Sequence, residues 1–249
     1  MEVRLYSLRI SSPGHAVRAM MELKGIEPRV SYLLPGIHHR IMRLRGFPGP
    51  TVPAIRADGR KVQGTREIAR FLDEVAPEPP LLPSEPEARV AVEDAERWAD
   101  EVLQNTPRRI MRLSGVRSQE FRRWIAKESL GVRLPGLAAA LNVTEARRIA
   151  RMVDADEAGV REELEDLPPK IDQVEELLAG GVIGGRQPNA ADLQIASTVR
   201  LMLMLDGVRE LVDGGPAAAH ARRLFPEPFG GAEPIPWVLP DEWLPTRRS

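Results

Sequence analysis

Cysteine is absent from all 249 positions, which excludes disulfides, thiolate-bound metal and redox or transfer chemistry on a thiol of the chain's own. Any thiol that reacts here has to come from outside. An excess of one charge sign is lacking too: 35 Lys plus Arg stand against 36 Asp plus Glu, and a net charge of −1 gives no general field for nucleic acid or an anionic membrane. Neither is an expected partner. No run approaches the ~20 uninterrupted apolar residues of a membrane helix, and residues 1–9 alternate like a strand and do not read as a signal peptide, so the expected location is cytoplasmic. Lysine occurs only at 24, 61, 127 and 170, leaving nearly all positive charge to Arg. With abundant Ala, Gly and Pro, this reads as genomic composition before function.

What is present is a hydrophobic fraction of 43% in a chain long enough for two domains, each able to fill a core. Residues 2–6 alternate as a strand. Ser11-Ser12-Pro13-Gly14 breaks it and begins a helix with Val17, Met20, Met21 and Leu23 at helical spacing, ended by Lys24-Gly25. Residues 29–34 form a second strand stopped at Pro35-Gly36, so the opening is β-α-β with a right-handed crossover and parallel strands. One or two helical turns over 37–44 follow. Val52-Pro53 then opens a short apolar run, Asp58-Gly59 supplies a hairpin turn, Lys61-Val62-Gln63 returns, and Thr65 is placed to cap a helix running to Leu72. The order is β-α-β-α-β-β-α within residues 1–76.

Residues 77–86 are Pro-rich and read as an extended linker, and residues 87–249 carry no strand signal. A helix over 87–113 is expected to kink at Pro107. Shorter helical pieces are expected over 121–130, 137–141 and 144–153. The stretches 160–167 and 171–178 read as one helix interrupted or kinked at Pro168-Pro169. Asn189 with Asp192 forms a capping box ahead of an apolar helix through Leu203, worth ~1 kcal/mol. A last helix over 217–224 leads into a tail rich in Pro and Trp, which is placed either over the cleft between the halves or under the helical half.

Pro53 at the head of a strand lacks a ladder N–H and is a candidate cis peptide that leaves the Val52 backbone free to face a ligand. Together with the hairpin, the Thr65-Arg66-Glu67-Ile68 helix start and the Asn189/Asp192 box, this resembles the glutathione transferase family. The resemblance implies an α/β thioredoxin-like N-terminal domain followed by an all-α helical-bundle domain. It covers most of the chain; residues 116–158 and the tail from 213 fit it less well. It also implies that Val52-Pro53 pairs with the cysteinyl part of glutathione while Thr65 and its helix start hold the γ-glutamyl carboxylate. Gly64 stands where the family usually has Glu, Gln or Asp, so one contact to the γ-glutamyl amine is missing and a related low-molecular-weight thiol stays open as the co-substrate.

The family stabilises the thiolate with a hydroxyl at the end of the first strand. Ser11-Ser12-Pro13 with Val17-Arg18 is similar to the Ser-Ser-Cys…Val-Arg segment of the zeta class, with Pro13 for Cys, so Ser11 or Ser12 is the expected catalytic donor; the alternative is that both only cap the helix. Tyr6 reads as a packed strand residue. The resemblance makes His38 or His39 a ligand for the glycine carboxylate of glutathione; adjacent histidines point apart on a helix and make no metal site. His15 reads as a surface residue, and no motif surrounds His220. Trp98 and Val102 read as core, and Arg108-Arg109 as a wall for an anionic co-substrate. The expected activity is conjugation or isomerisation of a small electrophile by a homodimer without metal; the alternative is a non-catalytic member of the fold that binds hydrophobic ligands or protein partners.

Overall fold

In the computed structural model, the described residues are 1–35, 37–130, 147, 150–151, 155–231 and 234–245. The helical pieces expected over 137–141 and 144–153 lie outside them, apart from residues 147, 150 and 151.

Strand β1 (Val3–Ser7) buries Val3, Leu5, Tyr6 and Ser7, and pairs in parallel with β2 (Arg29–Tyr32), setting Leu5 opposite Val30. Helix α1 (Ser12–Leu23) is the crossover between them. A short helix, α2 (His38–Leu44), precedes the hairpin of β3 (Ala54–Ala57) and β4 (Arg60–Gln63), whose turn places Asp58 at φ 44° and Gly59 at φ 90°. Two consecutive positive φ values are the mirror-type turn that suits the twist of a hairpin. The sheet order is β2-β1-β3-β4, with β3 antiparallel to both neighbours. Helix α3 (Thr65–Val75) closes this half. The N-cap is Gly64 at φ 103°, not Thr65: the chain leaves β4 through a left-handed backbone that favours glycine, so Thr65 enters the helix as its first residue and is buried.

The connection after α3 is held by Asp73, whose carboxylate accepts the N–H groups of Leu81 and Leu82 and the ammonium of Lys24 at 2.6 Å. Helix α4 (Pro86–Trp98) runs into a π-helical turn over Ala99–Leu103, then α5 (Asn105–Arg117) and α6 (Gln119–Leu130). The expected kink at Pro107 lies upstream of the proline. Pro107 sits in the first turn of α5, where no N–H partner is needed, and its ring excludes the ordinary α-helical approach of the Leu103 carbonyl; the chain widens before it, with Gln104 N–H bonded to Ala99 C=O at 3.0 Å. Helices α7 (Glu157–Glu165) and α8 (Leu167–Ala179) are separate, broken at Asp166, because Pro168 and Pro169 occupy the start of α8 and are not inside one helix.

Helix α9 (Ala190–Met204) is buried along its whole length, which explains an apolar sequence with no polar face. The Asn189/Asp192 capping box is present in both directions, at 2.9 Å each way. Several of its interior polar groups are bonded, Ser197 and Thr198 hydroxyls donating to Gln194 C=O and Arg200 Nε to Phe225 C=O, while Gln194 Oε1 is buried without a hydrogen-bond partner among the described residues. His220 Nε2 lies 3.0 Å from Asp192 but off the hydrogen-bond direction, so that contact is electrostatic. Helix α1 packs on α9 and so joins the halves, with α10 (Asp206–Val212) and α11 (Pro216–Leu224) completing the bundle.

The described part of the tail does not line the cleft; it packs on the end of the helical half and, through Phe229, on α1 of the first half. Ile235 bonds to Met204 and Asp206 across the end of α9, and Trp237 packs over Gly207, where a Cβ would meet the indole at 2.4 Å. The guanidinium groups of Arg117 and Arg161 lie 5.2 and 4.6 Å from the Trp243 ring. Phe229 stacks on His15 at 4.0 Å with the rings 7° apart, so His15 is a packing residue that donates from Nε2 to Arg9 C=O at 2.7 Å. Burial holds the His15 pKa below the usual 6.5, which means the fold disfavours its protonation. Stability from this contact is therefore complete above about pH 6.5 and decreases as pH falls below it. Thermal melts at pH 7.5 and 5.5 are expected to show a larger acid loss in the wild type than in His15→Gln; equal losses would remove the assignment.

Candidate functional site

The ends of β1 and β3, the starts of α1, α2 and α3, and the helical wall of the π-turn and α5 enclose a cleft of about 660 Å³. All seven residues marked from the sequence line it: Ser11, Ser12, His38, Val52, Pro53, Gly64 and Thr65.

Each is placed by a local cause. Ser11 is the N-cap of α1 and its hydroxyl oxygen accepts from Gly14 N–H at 3.3 Å. Ser12, the first helical residue, is buried yet lines the cleft, and its hydroxyl makes no hydrogen bond with any described residue. That hydroxyl sits at the positive end of α1, on the cleft side. His38 begins α2, buried, with its ring edge-on to His39 at 5.8 Å.

The Val52-Pro53 peptide is cis. Gln63 Nε2 donates to Gly49 and Thr51 C=O and Gln63 Oε1 accepts from Gly49 N–H, which braces the approach to it. Pro53 C=O accepts from Gly64 N–H at 3.0 Å. The Val52 N–H and C=O have no partner among the described residues. Beside them α3 starts at Gly64 and Thr65, offering backbone donors and a positive helix end to an anion.

Glu67 was not singled out by sequence. It occupies the third position of α3 and lines the cleft, and its Oε2 lies 2.0 Å from where a Cβ on Gly64 would be. The carboxylate thus fills the space that a side chain at 64 would take. The available signal was an acid three residues after a glycine cap, where a Glu folds back over the cap. Gly64 N–H is already bonded to Pro53, so the carboxylate is not consumed as a backbone cap.

The opposite wall comes from Asp100, Glu101, Gln104, Asn105, Arg108 and Arg112, with Ile10, Met111, Ile125 and Leu201 as apolar surface. Trp98 and Val102 are not among the lining residues; Trp98 packs on the core as expected, whereas Val102 is exposed and not core. Arg108 and Arg109 separate because neighbours on a helix point about 100° apart. Arg108 enters the cleft and bonds Gln104 Oε1 and Asn105 Oδ1, while Arg109 turns to the buried Glu163 at 3.1 Å. Burial pushes the Asp100 carboxyl up against the pull of Arg108, and pulls the Arg108 guanidinium down against Asp100 and Glu163. Arg112 is lowered to about 10 by burial and by Arg108 beside it.

The cleft is set across the two halves by Arg70 of α3, which donates to the fully buried Glu96 of α4 at 2.6 Å. Burial pushes the Glu96 carboxyl up while Arg70 opposes that shift. Among the described residues there is no cluster of His, Asp or Glu able to hold a metal ion. No helix among them is long and apolar enough to cross a membrane.

Residues 5–80 match the model of the glutathione S-transferase N-terminal domain. No curated protein matches the chain. Among solved structures, a glutathione S-transferase from Rhodospirillum rubrum F11 is 18% identical over 89% of this chain and 85% of its own, with a TM-score of 0.53. The beta-etherase LigF from Sphingobium sp. strain SYK-6 is 19% identical over 82% and 84%, with a TM-score of 0.56. FzlA from C. crescentus is 18% identical over 94% and 96%, with a TM-score of 0.57. At these identities the likeness is one of fold, a thioredoxin-like domain followed by a helical domain.

Proposed function

We propose that this chain, which belongs to the glutathione S-transferase family by its fold and its N-terminal domain, activates the thiol of glutathione or a related low-molecular-weight thiol for attack on a small electrophile. The observation that carries the reading is the convergence, in one cleft, of a hydroxyl at a helix start and a cis-proline's preceding backbone, neither with a partner among the described residues, and a second helix start.

In this reading the thiol's cysteinyl backbone pairs with the Val52 N–H and C=O. The γ-glutamyl carboxylate sits on the N–H groups at the start of α3, next to Thr65. The ammonium of the same group meets Glu67, which supplies from the third helical position the acid that Gly64 does not. His38 flanks the far end, where the glycine carboxylate lies. The Ser12 hydroxyl donates to the sulfur as its proton leaves to solvent, and the thiolate then forms a bond to the electrophilic carbon while the leaving group departs with its electron pair. A homodimer in the cytoplasm is the expected working form, carried over from the family.

Glutathione titrated by calorimetry tests this, with turnover of 1-chloro-2,4-dinitrobenzene as the chemical readout. Glu67→Gln keeps the shape and removes the charge, and is expected to weaken glutathione about tenfold. A des-amino analogue of glutathione should bind wild type and variant alike. Failure of millimolar glutathione to bind would remove glutathione as the thiol, and binding without turnover of any electrophile would favour the non-catalytic ligand- or partner-binding alternative.

A further inference from the structure

Helix α5 treats its arginines in two ways. Arg109 joins Glu163, and Arg117 pairs with Glu157. On the cleft side no carboxylate among the described residues bonds to the pair one turn apart: among those residues Arg108 donates to the neutral amide oxygens of Gln104 and Asn105, and Arg112 makes no hydrogen bond or ion pair. Burial, with a smaller repulsion from Arg108, brings Arg112 to about 10, still charged at neutral pH. Of the acids lining the cleft, Asp100 lies within electrostatic reach of Arg108, and its carboxyl is pushed up by burial. Glu101 belongs to the π-turn and Glu67 to the opposite wall at Gly64. A half-buried guanidinium next to another, both facing a cavity, is costly unless the cavity receives an anion.

We propose that Arg112, with Arg108 beside it, is a receptor for a carboxylate on the second substrate, the body of which lies on Ile10, Met111, Ile125 and Leu201. The substrate class is therefore a small electrophile with an apolar frame and one carboxylate. The planar fork of a guanidinium meets a carboxylate through two parallel hydrogen bonds, which a lysine in the same place cannot do. This inference rests on reading the cleft as the place where thiol and electrophile meet.

The test compares 4-chloro-3-nitrobenzoate with its methyl ester, which has the same ring and leaving group without the charge. Calorimetry without any thiol is expected to show the acid bound at least tenfold tighter than the ester by wild type. Arg112→Met should weaken the acid at least tenfold and leave the ester within twofold. Arg112→Lys keeps charge but not the fork and should lose several-fold on the acid, a decisive variant should Arg112→Met not fold. An ester bound as tightly as the acid, or an acid bound equally by wild type and either variant, would overturn the receptor. Acid preference without thiol turnover would keep the receptor and remove the transferase reading. Turnover of acid and ester at equal kcat/KM, unchanged in Arg112→Met, would keep the transferase reading and remove the receptor.

Discussion

Ser12→Ala is expected to lower kcat/KM for glutathione conjugation by about 10²- to 10³-fold, the loss that follows removal of a pre-set donor aimed at developing negative charge. Ser12 is buried at the positive start of α1, and its hydroxyl makes no hydrogen bond with any described residue. A bound sulfur would complete it. The variant should also move the rate profile to higher pH, because a thiolate without its donor ionises later; rates measured between pH 6 and 9 separate that from simple loss of binding. Ser11→Ala is the control. It removes the hydroxyl that accepts from Gly14 N–H and should cost ~1 kcal/mol of stability while leaving the pH profile in place. If Ser12→Ala kept activity within twofold, the thiolate donor would not be this hydroxyl.

The largest loss of stability is expected from Glu163→Ala, at about 3–5 kcal/mol. Glu163 is buried and receives Thr106 Oγ1 at 2.6 Å, Lys170 Nζ at 2.5 Å and Arg109 at 3.1 Å. It ties α5, α7 and α8 at one point. Removing it leaves Lys170 buried with, among the described residues, the Thr106 hydroxyl at 3.3 Å as its remaining partner, and takes a carboxylate from Arg109. A fall in Tm on the order of 10 °C follows for a chain of this size. Lys170→Met added to Glu163→Ala should recover part of the loss, because it removes one of the stranded charges. A single-variant loss below ~1 kcal/mol, read by denaturant unfolding, would show that the network contributes little.

Much of the fold is legible because its signals are short-range. Asp58-Gly59 fixes the hairpin through positive φ, Ser11 and Asn189 mark helix starts through hydrogen bonds three residues away, and the alternation over residues 2–6 marks the first strand, although Tyr6 is buried along with Val3 and Leu5. Where the reading went astray, the cause was a choice among local possibilities. Thr65 and Gly64 both suit a cap, and the left-handed exit from β4 selected the glycine. Pro107 and the pair Pro168-Pro169 mark interruptions, yet a proline is tolerated in a first helical turn, so each break falls ahead of the ring.

The sequence by itself determined the order of elements, the cis-proline position and the residues whose short-range geometry brings them to one end of the sheet, because backbone sterics and hydrogen bonding act over a few residues. Only the tertiary structure decided which of two neighbours does which task. Ser11 and Ser12 look alike until one is spent on capping and the other is left facing the cleft; Arg108 and Arg109 diverge because the helix turns between them and Glu163 waits on one side. The same holds for Glu67, whose carboxylate takes the space over Gly64, and for Arg112, to which no acid among the described residues bonds. Those assignments depend on packing between elements far apart in the chain, where the facing residue, and not the local pattern, sets the outcome.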